Sequence, residues 1–206
     1  MKFLDALLHF DQYFGTIVQS AGFWTYFLLF AVVFCETGLV VTPFLPGDSL
    51  LFVAGTFAAT GVLDVGLLWV TLVIACIVGD TVNYHIGFAF GKKVFREESR
   101  WFKKEYLRKT EQFYEKHGRK TIILARFIPI VRTFAPFVAG AARMDYKVFL
   151  LFNVIGGLFW VSLFIFGGYF FGGLPFVQAH FEWVVIGIIF VSLLPPLFEY
   201  FKAKRK

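Results

Sequence analysis

Two hydrophobic segments of this chain are interrupted by proline and glycine and carry ionisable side chains of opposite sign, and this pairing limits the fold more than any other feature. The first runs from Glu36 to Asp48 through Pro43, Pro46 and Gly47; the second holds Arg126, Pro129, Arg132 and Pro136. An ionisable group at bilayer depth costs several kcal/mol, so such residues are functional by default. Each proline lacks an N–H and clashes with the preceding turn. A helix broken in this way at membrane depth persists only where protein or a water-filled cavity satisfies the freed groups. Secondary transporters build binding sites from such discontinuous helices.

The 206 residues are 58% hydrophobic and 21% aromatic, with 30 Phe and a mean hydropathy of +0.71, well beyond the usage of a soluble domain. An integral membrane protein is expected. A crossing needs roughly 20 apolar residues, which predicts helices over 22–41, 65–90, 148–171 and 181–199. The apolar stretches 43–60 and 121–141 hold the prolines and charges, and read as re-entrant hairpins rather than crossings.

The fold class is therefore all-α: about four transmembrane helices plus two oppositely oriented re-entrant hairpins. The single domain divides into 1–20, 22–90, a basic region 91–120, 121–172, and the last crossing 181–199. The N-terminal stretch lacks the features of a cleaved signal peptide, and Phe3, Leu7, Phe10, Phe14 and Ile17 share one helical face, as in an interfacial amphipathic helix.

The formal charge of +6 and pI of 9.3 do not point to nucleic acid, because the basic residues concentrate at Lys92 to Lys120 and Lys202 to Lys206, flanking membrane spans. Positive loops stay cytoplasmic. Both termini are placed inside, and the hairpins then enter from opposite faces. Phe52-Val53-Ala54-Gly55 recurs as Phe137-Val138-Ala139-Gly140, and Tyr84-x-x-Gly87 as Tyr169-x-x-Gly172, both 85 residues on. With the opposed hairpins, this suggests a pseudo-inverted repeat.

Arg126 and Arg132 offer planar donor forks that match phosphate oxygens, and Pro129 between them lets the chain turn so that both converge. Half-helix N-termini would add N–H donors for the same anion. Glu36 and Asp48 are expected to pair with the arginines in the empty state, and proton uptake would release the arginines to an anionic headgroup. The bland reading of these four residues is an ion-pair network that fixes helix register.

Asp80 is a secondary site residue that could cap, pair with Arg143 or line a cavity. Gly79 and Gly87 read as close helix contacts, and Tyr84, Asn83 and His85 as packing or interfacial groups. Trp24, Trp69, Trp101 and Trp183 read as interfacial anchors. Cys35 and Cys76 read as small packing residues. No metal spacing, P-loop or nucleophile with a positioned base occurs, so neither metal, cofactor nor enzymatic activity is expected.

The run from Glu36 to Leu51 through Pro43-Phe-Leu-Pro46-Gly47-Asp48, the element Gly79-Asp80-x-x-x-Tyr84-x-x-Gly87, and Ala-Arg126-Phe-Ile-Pro129-Ile-Val-Arg132-Thr-Phe-Ala-Pro136 resemble the bacterial DedA family of the VTT (SNARE-associated) superfamily. The resemblance implies translocation of membrane lipids across the bacterial inner membrane, with undecaprenyl phosphate or a phospholipid as substrate and proton-motive force implicated. It places the family's essential acids and arginines on Glu36, Asp48, Arg126 and Arg132. A proton-coupled cation or drug antiporter is the alternative, and homo-oligomerisation is left open.

Overall fold

The structure, a computed structural model, describes residues 21–39, 47–96 and 117–175 together with the single positions 114, 177, 184 and 187. The stretches 1–20 and most of 181–199, most of the basic region, and Pro43 and Pro46 lie outside the described residues. What is described is helical, with no strand among the described residues: α1 (Trp24–Gly38), α2 (Gly47–Ala59), α3 (Val65–Arg96), the single turn α4 (Thr121–Leu124), α5 (Pro129–Ala141) and α6 (Tyr146–Phe171).

The long helices are the predicted crossings. Val65–Gly91 and Tyr146–Phe171 comprise 27 and 26 residues, or about 40 Å each at 1.5 Å per residue, enough for a hydrocarbon core of about 30 Å. Each is started by an aspartate: the carboxylate of Asp64 accepts from Leu67 N–H at 2.7 Å, and that of Asp145 from Val148 N–H at 3.0 Å. These side chains satisfy donors that a helix N-terminus leaves orphaned.

Both helices are apolar outside as well as inside. Leu67, Val70, Ile74 and Val78 form an exposed stripe on α3, and Leu151, Ile155, Phe159 and Leu163 one on α6. A helix apolar all round belongs in a membrane or a large core.

The other helices are shorter than a crossing. The span expected at 22–41 is described as the 15-residue α1. The stretch 43–60 contains the 13-residue α2. The stretch 121–141 is interrupted where Ile128 turns extended (φ −123°, ψ 102°), after which Pro129 opens α5. Pro suits the first turn, where its missing N–H would be unpaired anyway.

Pro136 corrects the sequence reading, because it sits inside α5 and does not break it. Residues 131–140 are all buried. Surrounding protein tolerates a proline in a membrane helix by re-satisfying the backbone groups it frees.

The short helices α2 and α5 each pack on the long helix of the other half. A methyl added at Gly55 of α2 would strike the Ile165 carbonyl of α6, one at Gly168 the Phe52 carbonyl, and one at Gly172 the Thr56 side chain. The contacts of α5 on α3 repeat these: Gly140 against the Tyr84 carbonyl, Gly87 against the Phe137 carbonyl, and Gly91 against Ala141. Small residues let backbones approach closely without lipid between them.

Along the short helices the repeated positions are 85 residues apart, as the sequence suggests, but along the long helices they are 81 apart. Tyr84 therefore corresponds in packing to Ile165, not Tyr169, and Gly87 to Gly168, not Gly172. A shift of one helical turn separates the sequence match from the match in space. Asp64 and Asp145 obey the same offset of 81.

Candidate functional site

The end of α1 and the starts of α2 and α5 meet at a group of charges that α3 and α6 enclose. The close crossing of Gly38 on Gly79, where an added methyl at Gly38 would stand 3.3 Å from the Gly79 Cα, brings the C-terminal end of α1 against the middle of α3. Glu36 and Asp80 lie beside this crossing. Asn83, one turn further along α3, donates to the Thr37 carbonyl of α1 at 3.0 Å and to the Thr133 carbonyl of α5 at 2.9 Å, tying the three helices together.

Arg132, in the first turn of α5, binds both acids of the first motif. Its Nη1 donates to Asp48 Oδ1 at 2.9 Å and its Nη2 to Glu36 Oε1. Asp48 Oδ1 also accepts from Trp160 Nε1 at 2.9 Å, and the Arg132 guanidinium lies 4.8 Å from the centre of the Trp160 ring. A cation over an indole face gains electrostatic stabilisation that grows with desolvation, and Trp160 is fully buried.

Glu36 Oε1 takes a further bond, at 3.3 Å, from Gly47 N–H at the start of α2. The other oxygen, Oε2, is buried and has no hydrogen-bond partner among the described residues. Gly47 leaves room for the Glu36 carboxylate, which an added methyl would displace.

Arg126 does not share these acids. Its Nη2 pairs with Asp80 and also donates to the Asn153 side-chain oxygen and, at 3.2 Å, to the Asn153 carbonyl, while Nη1 donates to Cys76 Sγ. Asn153 is oriented by donating to the Ile77 carbonyl at 3.1 Å. Gly156 leaves room for the arginine, because a methyl there would stand 2.8 Å from Arg126 Nε. The two groups are near enough to interact, and Asp80 feels Arg132 as well as Arg126.

The expectation that both arginines converge on one pair of acids is thus corrected: the extended residue Ile128 sends them into separate pairings. Asp80 belongs to the site's core, and Arg143 is not its partner but stacks over Phe88 at 5.1 Å. Cys76 packs in the core as expected and also touches Arg126. Trp69 is not only an anchor, since its Nε1 donates to Ser162 at 2.9 Å across α3 and α6. Tyr84 is a packing residue: buried, stacked on Phe149 at 4.5 Å, its hydroxyl bonded to the Met144 carbonyl. Among the described residues no His, Cys, Asp and Glu cluster has a metal-binding arrangement.

Two site residues were missed. Asn153 and Trp160 sit mid-span in 148–171, and both carried a signal: a polar amide in a membrane helix usually bonds a neighbour, and a tryptophan far from the interface departs from its usual belt.

The VTT domain matches residues 45–170, from the start of α2 nearly to the end of α6. This chain belongs to the DedA family. It is 56% identical over 205 residues to Protein DedA of Escherichia coli, covering 98% of this chain and 94% of the relative. An uncharacterized membrane protein of Mycobacterium leprae is 45% identical, covering 81% of this chain and 75% of the relative. Inner membrane protein YghB of Escherichia coli is 33% identical, covering 87% and 85%. No solved structure matches. The VTT match encloses Asp48, Asp80, Arg126, Arg132, Asn153 and Trp160; the DedA-family member contributes Glu36 from just before it.

Proposed function

We propose that this DedA-family protein is a proton-linked translocase for a phosphate-bearing lipid, a polyprenyl phosphate such as undecaprenyl phosphate or a phospholipid, in the bacterial inner membrane. The observation that carries this reading is the Arg132 guanidinium, which is buried where the N-termini of α2 and α5 meet and is held by the carboxylates of Glu36 and Asp48. Helix N-termini and guanidinium forks favour the same ligand, an anion of phosphate geometry. A carboxylate that holds the guanidinium must yield its place before a headgroup binds, and protonation is the chemical event that makes it yield.

The reciprocal packing of α2 on α6 and α5 on α3 supports an inverted pair of broken hairpins that rock around a central site. In this reading α2 and α5 are the re-entrant limbs, and both termini are cytoplasmic. The protein moves its substrate without covalent chemistry.

A proton-coupled cation antiporter is the second reading, favoured by one observation: three acids, the buried Glu36 and Asp80 and the half-buried Asp48, face two arginines. Movement of labelled undecaprenyl phosphate and phosphatidylethanolamine in proteoliposomes, with and without a pH gradient, separates the readings. Wild type is expected to move at least one lipid faster under a gradient, while Arg126→Ala and Glu36→Gln lose the movement. A folded wild type that moves neither lipid but carries cations would replace the first reading with the second.

A further inference from the structure

The two carboxylates on Arg132 are each held through one oxygen that receives two donors: Asp48 Oδ1 takes Arg132 Nη1 and Trp160 Nε1 at 2.9 Å each, and Glu36 Oε1 takes Arg132 Nη2 and the Gly47 N–H. Their other oxygens set them apart, because Glu36 Oε2 is buried with no hydrogen-bond partner among the described residues, and no Asp48 atom is left in that state. A buried charged atom with no partner is costly. Its surroundings offer donors for a tetrahedral anion: a guanidinium fork and the first N–H of a 13-residue helix.

From this geometry we infer that the Glu36 carboxylate is a tethered anion, occupying the place on Arg132 and the α2 N-terminus that a singly charged phosphate ester takes during the working cycle. The inference rests on the anion-handling reading above and names its competing group. The charges that face Glu36 are Arg132 on α5, Asp48 on α2 and Asp80 on α3, with Trp160 of α6 closing the site as a neutral donor. Arg132 with both carboxylates carries one net negative charge. When Glu36 takes a proton and swings away, a phosphodiester restores that same charge, so the exchange leaves the electrostatics of the enclosed site unchanged. Asp48 and Trp160 stay in place and keep the guanidinium aimed.

Binding is read directly on the purified full chain in detergent, by calorimetry, with two probes that keep one charge throughout the pH range: dimethyl phosphate and farnesyl methyl phosphate. Wild type is expected to bind more tightly as pH falls, approaching tenfold per pH unit where one proton is linked. Glu36→Gln, lacking the competitor, is expected to bind at least tenfold tighter than wild type at about pH 8, with little pH dependence. Glu36→Asp, one methylene too short to reach both donors, is expected to fall between them and serves if the glutamine variant does not fold. Binding of farnesyl methyl phosphate alone assigns the site to a lipid headgroup, and equal binding of dimethyl phosphate assigns it to phosphate esters at large. A folded Glu36→Gln that binds no tighter than wild type, or keeps its pH slope, overturns the inference, as does a failure of every variant to bind either probe. No outcome depends on transport, so a protein that binds as described yet moves no lipid would lose only the translocase reading.

Discussion

Arg126 shows how much a single buried charge can demand of its neighbours. Its side chain is 2% exposed and is met by Asp80, Asn153 and Cys76. Removing one partner of a buried pair costs about 3–5 kcal/mol, because the survivor is left charged and unsolvated, whereas replacing both is far milder. Arg126→Met is expected to lower thermal stability sharply, and adding Asp80→Asn to recover most of it, as a melt of the purified variants would read. If recovered stability comes without recovered transport, Arg126 acts on substrate; if transport returns too, the pair is structural. Neither Asp80's pairing nor Asn153's contact was legible in the chain, since a residue's neighbours across helices follow from the Gly38 and Gly79 crossing and not from local spacing. The four charges themselves were legible, because ionisable groups stand out in apolar segments.

Among the elements, the long helices were readable nearly to the residue, since length and apolarity suffice and an aspartate marks each start. Asp64→Ala and Asp145→Ala should each cost about 1 kcal/mol as lost N-caps, measurable as lowered melting temperatures. The short helices were harder. Pro136 invited a break that did not form, because proline reports a lost hydrogen bond but not whether packing tolerates it. Gly79 and Gly87 on α3 were legible as close contacts, yet their partners were not, and the glycines of α6 were not read as contacts. Gly87→Ala and Gly168→Ala press a methyl onto the Phe137 and Phe52 carbonyls respectively. Each is expected to destabilise by about 1–3 kcal/mol, and by similar amounts, since their surroundings match; denaturation that shows one harmless and the other severe would count against the equivalence.

For the whole molecule, the repeat read from the sequence and the repeat made in space differ by one turn on the long helices, because chance agreement of Tyr and Gly outweighed the offset that packing uses. The halves also interlock, α2 resting on α6 and α5 on α3. A chain divided between residues 97 and 116 should therefore yield fragments that are rapidly proteolysed when made singly and protected when made together; a first half that resists protease alone would contradict the interlock.

The enclosed charges have an electrical consequence. Among the described residues of the site the buried Glu36 and Asp80 and the half-buried Asp48 face two guanidiniums, leaving one unit of negative charge. The membrane potential acts on such a charge with up to about 2.3 kcal/mol per 100 mV across the full field. On the proposed reading an unprotonated empty site would sense voltage, one that has gained a proton without taking an anion would not, and binding of a singly charged headgroup would restore the sensitivity.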